Sequence, residues 1–281
     1  MQTHKPIFTE HARCQDCYKC LRECRLKAIR VEHESAQVIP ERCVFCGTCV
    51  STCPVGAKKV RSDLPKVRHL FRQQLEVVAS LAPSWVAEWP DLDAPRMIAT
   101  LRKLGFAVVS ETALGAEEVS AATAALLAQA APGVYLSTAC PSVVETVRRH
   151  LPELAPTLMP LLSPMQAHGR LLRRLRGDAT AIVFLGPCIA KKLEADEDDA
   201  PIEAALTFAE LRAWMTQERL DPYAERPEPE DRFYPESASD GGRYPLDGGM
   251  VTTVHSRLPS GFRGQSMSYS GLNGVLDALA D

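Results

Sequence analysis

The chain of 281 residues has no long uninterrupted apolar run, no glycine-rich phosphate loop and almost no net charge, and each absence excludes a class of function. Its most apolar stretch, Val119 to Leu136, is broken by Ser120, Thr123, Gln129, Pro132 and Gly133. A bilayer span takes about 20 predominantly apolar residues, so no membrane role is expected. No charged-then-apolar leader opens the sequence, which points to a reducing cytoplasm rather than an oxidising compartment. Neither GxGxxG nor the P-loop pattern occurs, and Asp247-Gly248-Gly249 is only a glycine turn, so no bound nucleotide is expected. The net charge of -3 provides no basic footprint for a nucleic acid. The 46% hydrophobic content describes a globular chain of one large or two modest domains.

What the chain does have is cysteine, concentrated at one end. Eight of its ten cysteines form two copies of the spacing C-x2-C-x2-C-x3-C: Cys14, Cys17, Cys20, Cys24 and Cys43, Cys46, Cys49, Cys53. The copies are offset by 29 residues and also match at Ala28 with Ala57 and at Val31 with Val60, so a whole unit is duplicated. A disulfide framework belongs to small secreted chains, and zinc sites usually present two separated C-x2-C halves. Thiolates this dense bind iron. In the two-cluster ferredoxin pattern, which this spacing resembles, three cysteines of one copy hold a 4Fe-4S cube together with the fourth cysteine of the other copy. The expected sets are Cys14, Cys17, Cys20 with Cys53, and Cys43, Cys46, Cys49 with Cys24. Gly47 eases the curl of the second copy and Pro54 completes its ending, whereas the first copy has Arg25 in place of that proline. Residues 1–63 carry 11 Lys and Arg against 7 Asp and Glu, leaving -7 for the rest. Two oxidised cubes of about -2 each would cancel that basic excess.

Residues 1 to about 12 read as a short arm able to add an edge strand, and Asp63-Leu64-Pro65 marks a boundary ahead of a helix over 66–74. Domains at 1–63 and 64–281 are expected. Beyond the boundary, short apolar runs at 76–81, 106–110, 134–137 and 181–185 alternate with helices at 94–104 and 116–130. The fold class expected is an α+β ferredoxin-like unit followed by an α/β domain with a mostly parallel sheet flanked by helices. Sites in such sheets lie beyond the carboxyl ends of the strands. The stretch 226–242, rich in Pro, Gly, Ser and charge, reads as an exposed loop, and 271–280 as a terminal helix.

The two remaining cysteines each follow an apolar run beside a proline. Cys140 sits in Thr138-Ala139-Cys140-Pro141, and Cys188 in Pro187-Cys188-Ile189-Ala190-Lys191-Lys192-Leu193-Glu194. These strings resemble the TSCCP and MPCxxKxxE motifs of the iron-only (FeFe) hydrogenases and their relatives. Ser80-Leu81-Ala82-Pro83-Ser84 and Ser163-Pro164-Met165-Gln166-Ala167-His168-Gly169 are similar to parts of the same large-subunit domain. The resemblance, which runs from Cys14 to the end of the chain, implies a further 4Fe-4S cube bridged to a two-iron centre, with Cys140 and Cys188 among its ligands. It also implies that Lys191 faces a cyanide of that centre and that Glu194 holds Lys191, although Glu194 also begins the acidic run that ends at Asp199.

Three departures shape the functional expectation. Ala139 replaces the cysteine that carries protons in catalytic members, Gly186 replaces a methionine, and the third motif, with the last two cysteine ligands, does not occur before Asp281. A methyl group cannot take a proton from hydrogen as it splits. The expectation is therefore an iron-sulfur redox protein of hydrogen-sensing or regulatory type, working with a ferredoxin or a signalling protein. An active hydrogenase on a longer chain, with protons moved by His168 or the Glu88 region, is one alternative. An electron-transfer or iron-sulfur assembly protein with an empty hydrogenase-like domain is another.

Overall fold

The structure is a computed structural model that describes residues 5–280, so the start of the expected arm lies outside the described residues. Duplication in the sequence becomes duplication in the backbone. Left-handed residues recur at the 29-residue offset: Asp16 with Phe45, Tyr18 with Gly47, and Lys27 with Gly56. Each copy supplies one short helix, α1 (Lys19–Glu23) or α2 (Thr48–Ser51). The arm contributes β1 (Ile7–Thr9). The first copy leads into β2 (Ile29–Glu32) and β3 (Ser35–Val38), and the second into β4 (Lys58–Val60). β1 pairs antiparallel with β4, Ile7 opposite Val60, and β2 pairs antiparallel with β3.

From α3 (Leu64–Arg72) onward the chain alternates strand and helix. β5 (Val77–Leu81) leads through α4 (Trp85–Glu88) and α5 (Ala94–Lys103) to β6 (Val108–Glu111). Next come α6 (Ala113–Gln129), α7 (Pro141–His150) and α8 (Pro164–Arg176), then β7 (Ala181–Gly186), α9 (Lys191–Glu194), β8 (Ala204–Thr207) and α10 (Phe208–Gln217). The last helices are α11 (Gly249–His255) and α12 (Gly271–Ala280). The four later strands form one parallel sheet in the order β6-β5-β7-β8. Every residue of β5, β7 and β8 is buried, as continuous apolar runs in a sheet covered on both faces require.

Helix α5 shows how the sequence specifies these elements. Asp93 caps it by accepting from the Arg96 amide at 2.9 Å, and Pro95 lies in its first turn. Met97, Ile98 and Leu101 fall on one face and are fully buried, each contributing about 1.5–3 kcal/mol. Gly105, at φ 111, stops the helix. Phe71, Phe106 and Trp214 then close the core with ring centroids 5.4–6.0 Å apart.

Two expectations fail. Residues 134–137 are not a strand of the sheet: only Leu136 pairs, with Leu158, in an isolated parallel bridge, and Val134 is 69% exposed. β5 and β7 already have neighbours on both sides, so this β-prone triplet finds no place beside them. Cys140 therefore follows a loop rather than a sheet strand. The proline-rich 226–242 segment is irregular but not simply exposed. Phe233 is buried in the core, Asp231 is buried and pairs with Arg102 at 2.7 Å, and the Tyr234 amide donates to the Val109 carbonyl on the outer side of β6. The segment thus covers a sheet edge. No helix among the described residues is long and apolar enough to cross a membrane.

His168, on α8, lies wholly inside this core. Its Nδ1 and Nε2 meet the hydroxyls of Ser80 at 2.8 Å and Ser110 at 2.9 Å, partners on adjacent strands. Burial lowers its pKa to about 3. Below an unfolded pKa near 6.5 the unfolded chain takes up a proton that the folded chain refuses, so stability falls as pH drops. Denaturant unfolding from pH 6.5 towards 3 should show a loss of about 1.4 kcal/mol per pH unit that is missing in His168→Gln. Identical pH dependence in the two proteins would contradict this.

Candidate metal centre

The left-handed residues turn each cysteine run so that its sulfurs converge. One space is lined by Cys14, Cys17, Cys20 and Cys53, the other by Cys24, Cys43, Cys46 and Cys49. The fourth cysteine of each copy therefore sits with the first three of the other. Matched amide bonds hold these crossing residues: the Ala28 amide donates to Cys24 Sγ at 3.3 Å and the Ala57 amide to Cys53 Sγ at 3.1 Å. The amides of Ala36 and Phe45 donate to Cys14 and Cys43. All ten cysteines are free.

Electrostatics divides these thiols. Burial pushes Cys43 up to about 11 and Cys49 up to about 12. At Cys14 and Cys53 burial acts in the same direction but is outweighed by hydrogen bonds, chiefly from the amides of Ala36 and Lys58 respectively, and both fall below the ordinary value. Thiols gathered in fours, one exposed and the others partly or fully buried in each set, with amide hydrogens aimed at sulfur, suit a cluster whose irons deprotonate them. Each space could hold a 4Fe-4S cube, with one cysteine per iron.

The parallel sheet has a switch point at its carboxyl edge. β5 lies between β6 and β7, so the chain leaves its carboxyl end in opposite directions, and ligand crevices open at such points. Cys188 follows β7 there. With Ile189 and Leu193 it packs against a buried cluster that includes Cys43 and Phe45 of the ferredoxin-like half. Gly47, at φ 86, permits the contact: a Cβ there would come within 3.0 Å of Ile189 Cδ1. Helix α7, which follows Cys140, grips the same half. Ser142 Oγ donates to the Val44 carbonyl at 2.9 Å, Arg149 to the carbonyls of Pro40 and Cys43, and His150 Nε2 meets the Arg42 carbonyl at 2.8 Å.

Cys140 and Cys188 are brought together with Lys191. The Lys191 ammonium pairs with Glu194 at 2.7 Å and reaches the Ala139 carbonyl at 3.4 Å, while Ser163 donates to Glu194 at 3.0 Å. Burial raises the Cys188 pKa; Lys191 opposes this and Cys140 adds to it. Glu194 is thus a buried anchor for Lys191, and only Asp196 to Asp199 form the exposed acidic run. Neither proposed proton carrier joins the group: both His168 nitrogens are occupied in the core, and Glu88 pairs with Arg212.

A family model described as the iron only hydrogenase large subunit, C-terminal domain, matches residues 75–277, and one for a 4Fe-4S binding domain matches residues 36–59. The chain belongs to the iron-only hydrogenase large-subunit family. Among solved structures it is similar to a variant of the FeFe-hydrogenase HydA1 from Chlamydomonas reinhardtii, with a TM-score of 0.58 at 19% identity over 76% of this chain and 62% of that one. It is 25% identical over 196 residues to the cytosolic Fe-S cluster assembly factor NAR1 of Yarrowia lipolytica, covering 62% of this chain and 40% of that protein. An uncharacterized ferredoxin of Methanocaldococcus jannaschii is 33% identical over 60 residues, 20% of this chain and 97% of the ferredoxin. The chain thus spans less than two thirds of the hydrogenase and of the assembly factor. It joins a 4Fe-4S binding motif to a hydrogenase-like domain.

Within this family member, the glycine at 186 has a local cause: a Cβ there would stand 2.9 Å from Ala82 Cβ and overlap the Phe184 ring. Sequence reasoning missed Lys192, the neighbour of Lys191, because nothing in the pattern marks it. Its side chain is fully buried. Nζ meets Glu210 at 2.8 Å, Asp63 at 3.2 Å and the Ala205 carbonyl at 2.6 Å. Removing one partner of a buried pair costs about 3–5 kcal/mol. Lys192→Ala should lose stability of that size in denaturant unfolding, and a loss below about 1 kcal/mol would contradict the geometry.

Proposed function

We propose that residues 1–63 hold two 4Fe-4S cubes, one in each crossed cysteine set, and relay electrons between a redox partner and a hydrogenase-like metal site at Cys140 and Cys188 of the 64–281 domain. The observation that carries this reading is the crossed lining of the two spaces, because only paired cubes require the fourth cysteine of each copy to serve the other. A bound cube supplies one-electron transfer. The chain's own residues do the rest: amides aimed at sulfur stabilise thiolate charge, and the packing of Cys188 and Ile189 on the cluster of Cys43 and Phe45 ties the sheet-edge site to the second set. Lys191, fixed by Glu194, offers a positive charge beside Cys140 and Cys188 to an anionic ligand of a metal centre.

Ala139 argues for hydrogen sensing or regulation over rapid turnover, since no group there can carry a proton. The partner fitting this role is a ferredoxin or a signalling protein, in a reducing cytoplasm where cysteines serve as iron ligands rather than disulfides. The likeness to an assembly factor favours a second reading, in which the sheet-edge site stays empty and the chain serves iron-sulfur assembly. Infrared bands of metal-bound carbon monoxide and cyanide support the first reading, and their absence from protein matured with hydrogenase accessory enzymes supports the second.

Anaerobically purified protein should hold about eight irons in the ferredoxin-like half. Cys24→Ala should lose the cluster of Cys43, Cys46 and Cys49, about half of those irons, and keep the electron paramagnetic resonance signal of the other. Loss of the Cys14, Cys17 and Cys20 cluster instead would refute the crossed assignment.

A further inference from the structure

The duplication is broken at one buried position. Lys58 stands where the first copy, 29 residues earlier, has Ile29. Ile29 packs with Cys20 and Ala36 in a small apolar cluster, yet Lys58 is as deeply enclosed, at 3% exposure. An ammonium is far more costly to bury than a butyl group unless something meets its charge. Its hydrogen-bond partners are Thr9 Oγ1 at 2.6 Å and the Ala36 carbonyl, both uncharged, and among the described residues it forms no ion pair. Buried Lys192, by contrast, sits between two carboxylates. Lys58 lines the first space with Cys14, Cys17, Cys20 and Cys53.

We infer that Lys58 is the internal counter-ion of the first cysteine set and that it raises the reduction potential of the cluster held there above that of the second. The inference rests on the two-cluster reading. Adding an electron makes each cluster more negative, so a fixed buried cation favours the reduced form and raises the potential. The effect is unequal, because Lys58 lines the first space and not the second. On the Ile29 side the duplicated position carries no charge, and the cations near the second set, Arg25 and Arg149, come from other positions of the chain.

Anaerobic redox titration followed by electron paramagnetic resonance tests this on the full chain. Lys58→Met removes the charge at similar size. Lys58→Gln removes it while keeping a donor for Thr9 and Ala36. In both variants the two potentials should fall. At a fixed potential the reduced-to-oxidised ratio of the first cluster should drop about tenfold, ~59 mV for a one-electron couple, with a smaller drop for the second. Lys59→Met is the control: it deletes the same charge from the next residue of β4, whose ammonium pairs with Glu10 at 3.7 Å and is 39% exposed. It should leave both potentials in place. Iron-loaded Lys58 variants with unshifted potentials overturn the inference, as does an equal shift in Lys59→Met or loss of iron from both Lys58 variants. Wild-type protein without iron would instead defeat the two-cluster reading itself.

Discussion

Lys192 Nζ, fully buried, meets Asp63 and the partly buried Glu210, and the rest of the molecule is arranged around that contact. Each partner comes from a different part of the chain. Asp63 ends the ferredoxin-like half and precedes α3 without a side-chain capping bond to it; its amide donates to Glu210 at 2.8 Å. Glu210 closes the capping box of α10 with Thr207 at the end of β8. Lys192 belongs to the loop that carries Cys188 and Lys191. Arg61 extends the network by pairing with Asp63 and Asp196 at 2.7 Å. A buried ion pair adds little net stability over apolar packing, but it is intolerant of displacement. The contact therefore fixes where the Cys188 loop sits relative to the cysteine-rich half.

That placement gives the chain its functional geometry. One end of the loop is held by the ion pair and the other by Ile189 against Gly47, so Cys188 lies beside the second cysteine set. From the opposite side, α7 carries Arg149 to the Pro40 and Cys43 carbonyls and brings Cys140 with it. Electrons entering at the exposed Cys17 side of the first set would cross to the second set and reach the sheet edge through packed protein. The molecule has the form of a conduit whose end site is furnished with two thiols, an anchored ammonium and no proton carrier at position 139.

The cysteine half was legible in the sequence because ligand spacing, left-handed turns and the 29-residue repeat are all local properties. The apolar runs at 76–81 and 181–185 likewise announced β5 and β7, since a strand buried on both faces has no alternation to obscure it. Residues 134–137 misled because β propensity says nothing of whether a neighbouring edge is free. β8, with only four residues before α10, gave too short a signal to notice. The sheet-edge pairing of Lys191 with Glu194 followed from the motif. The burial of Lys192 could not, because its partners Asp63 and Glu210 lie 129 and 18 residues away in the chain. Lys58 had a readable signal, the break in the repeat at Ile29, which becomes meaningful only once both positions are seen to be buried.

Anomalous diffraction at the iron edge from anaerobically grown crystals tests the central claim most directly. The account predicts iron in both cysteine spaces, with Cys53 Sγ bound to the cluster of Cys14, Cys17 and Cys20, and Cys24 Sγ bound to that of Cys43, Cys46 and Cys49. Zinc in either space, or each fourth cysteine bound within its own copy, would contradict it.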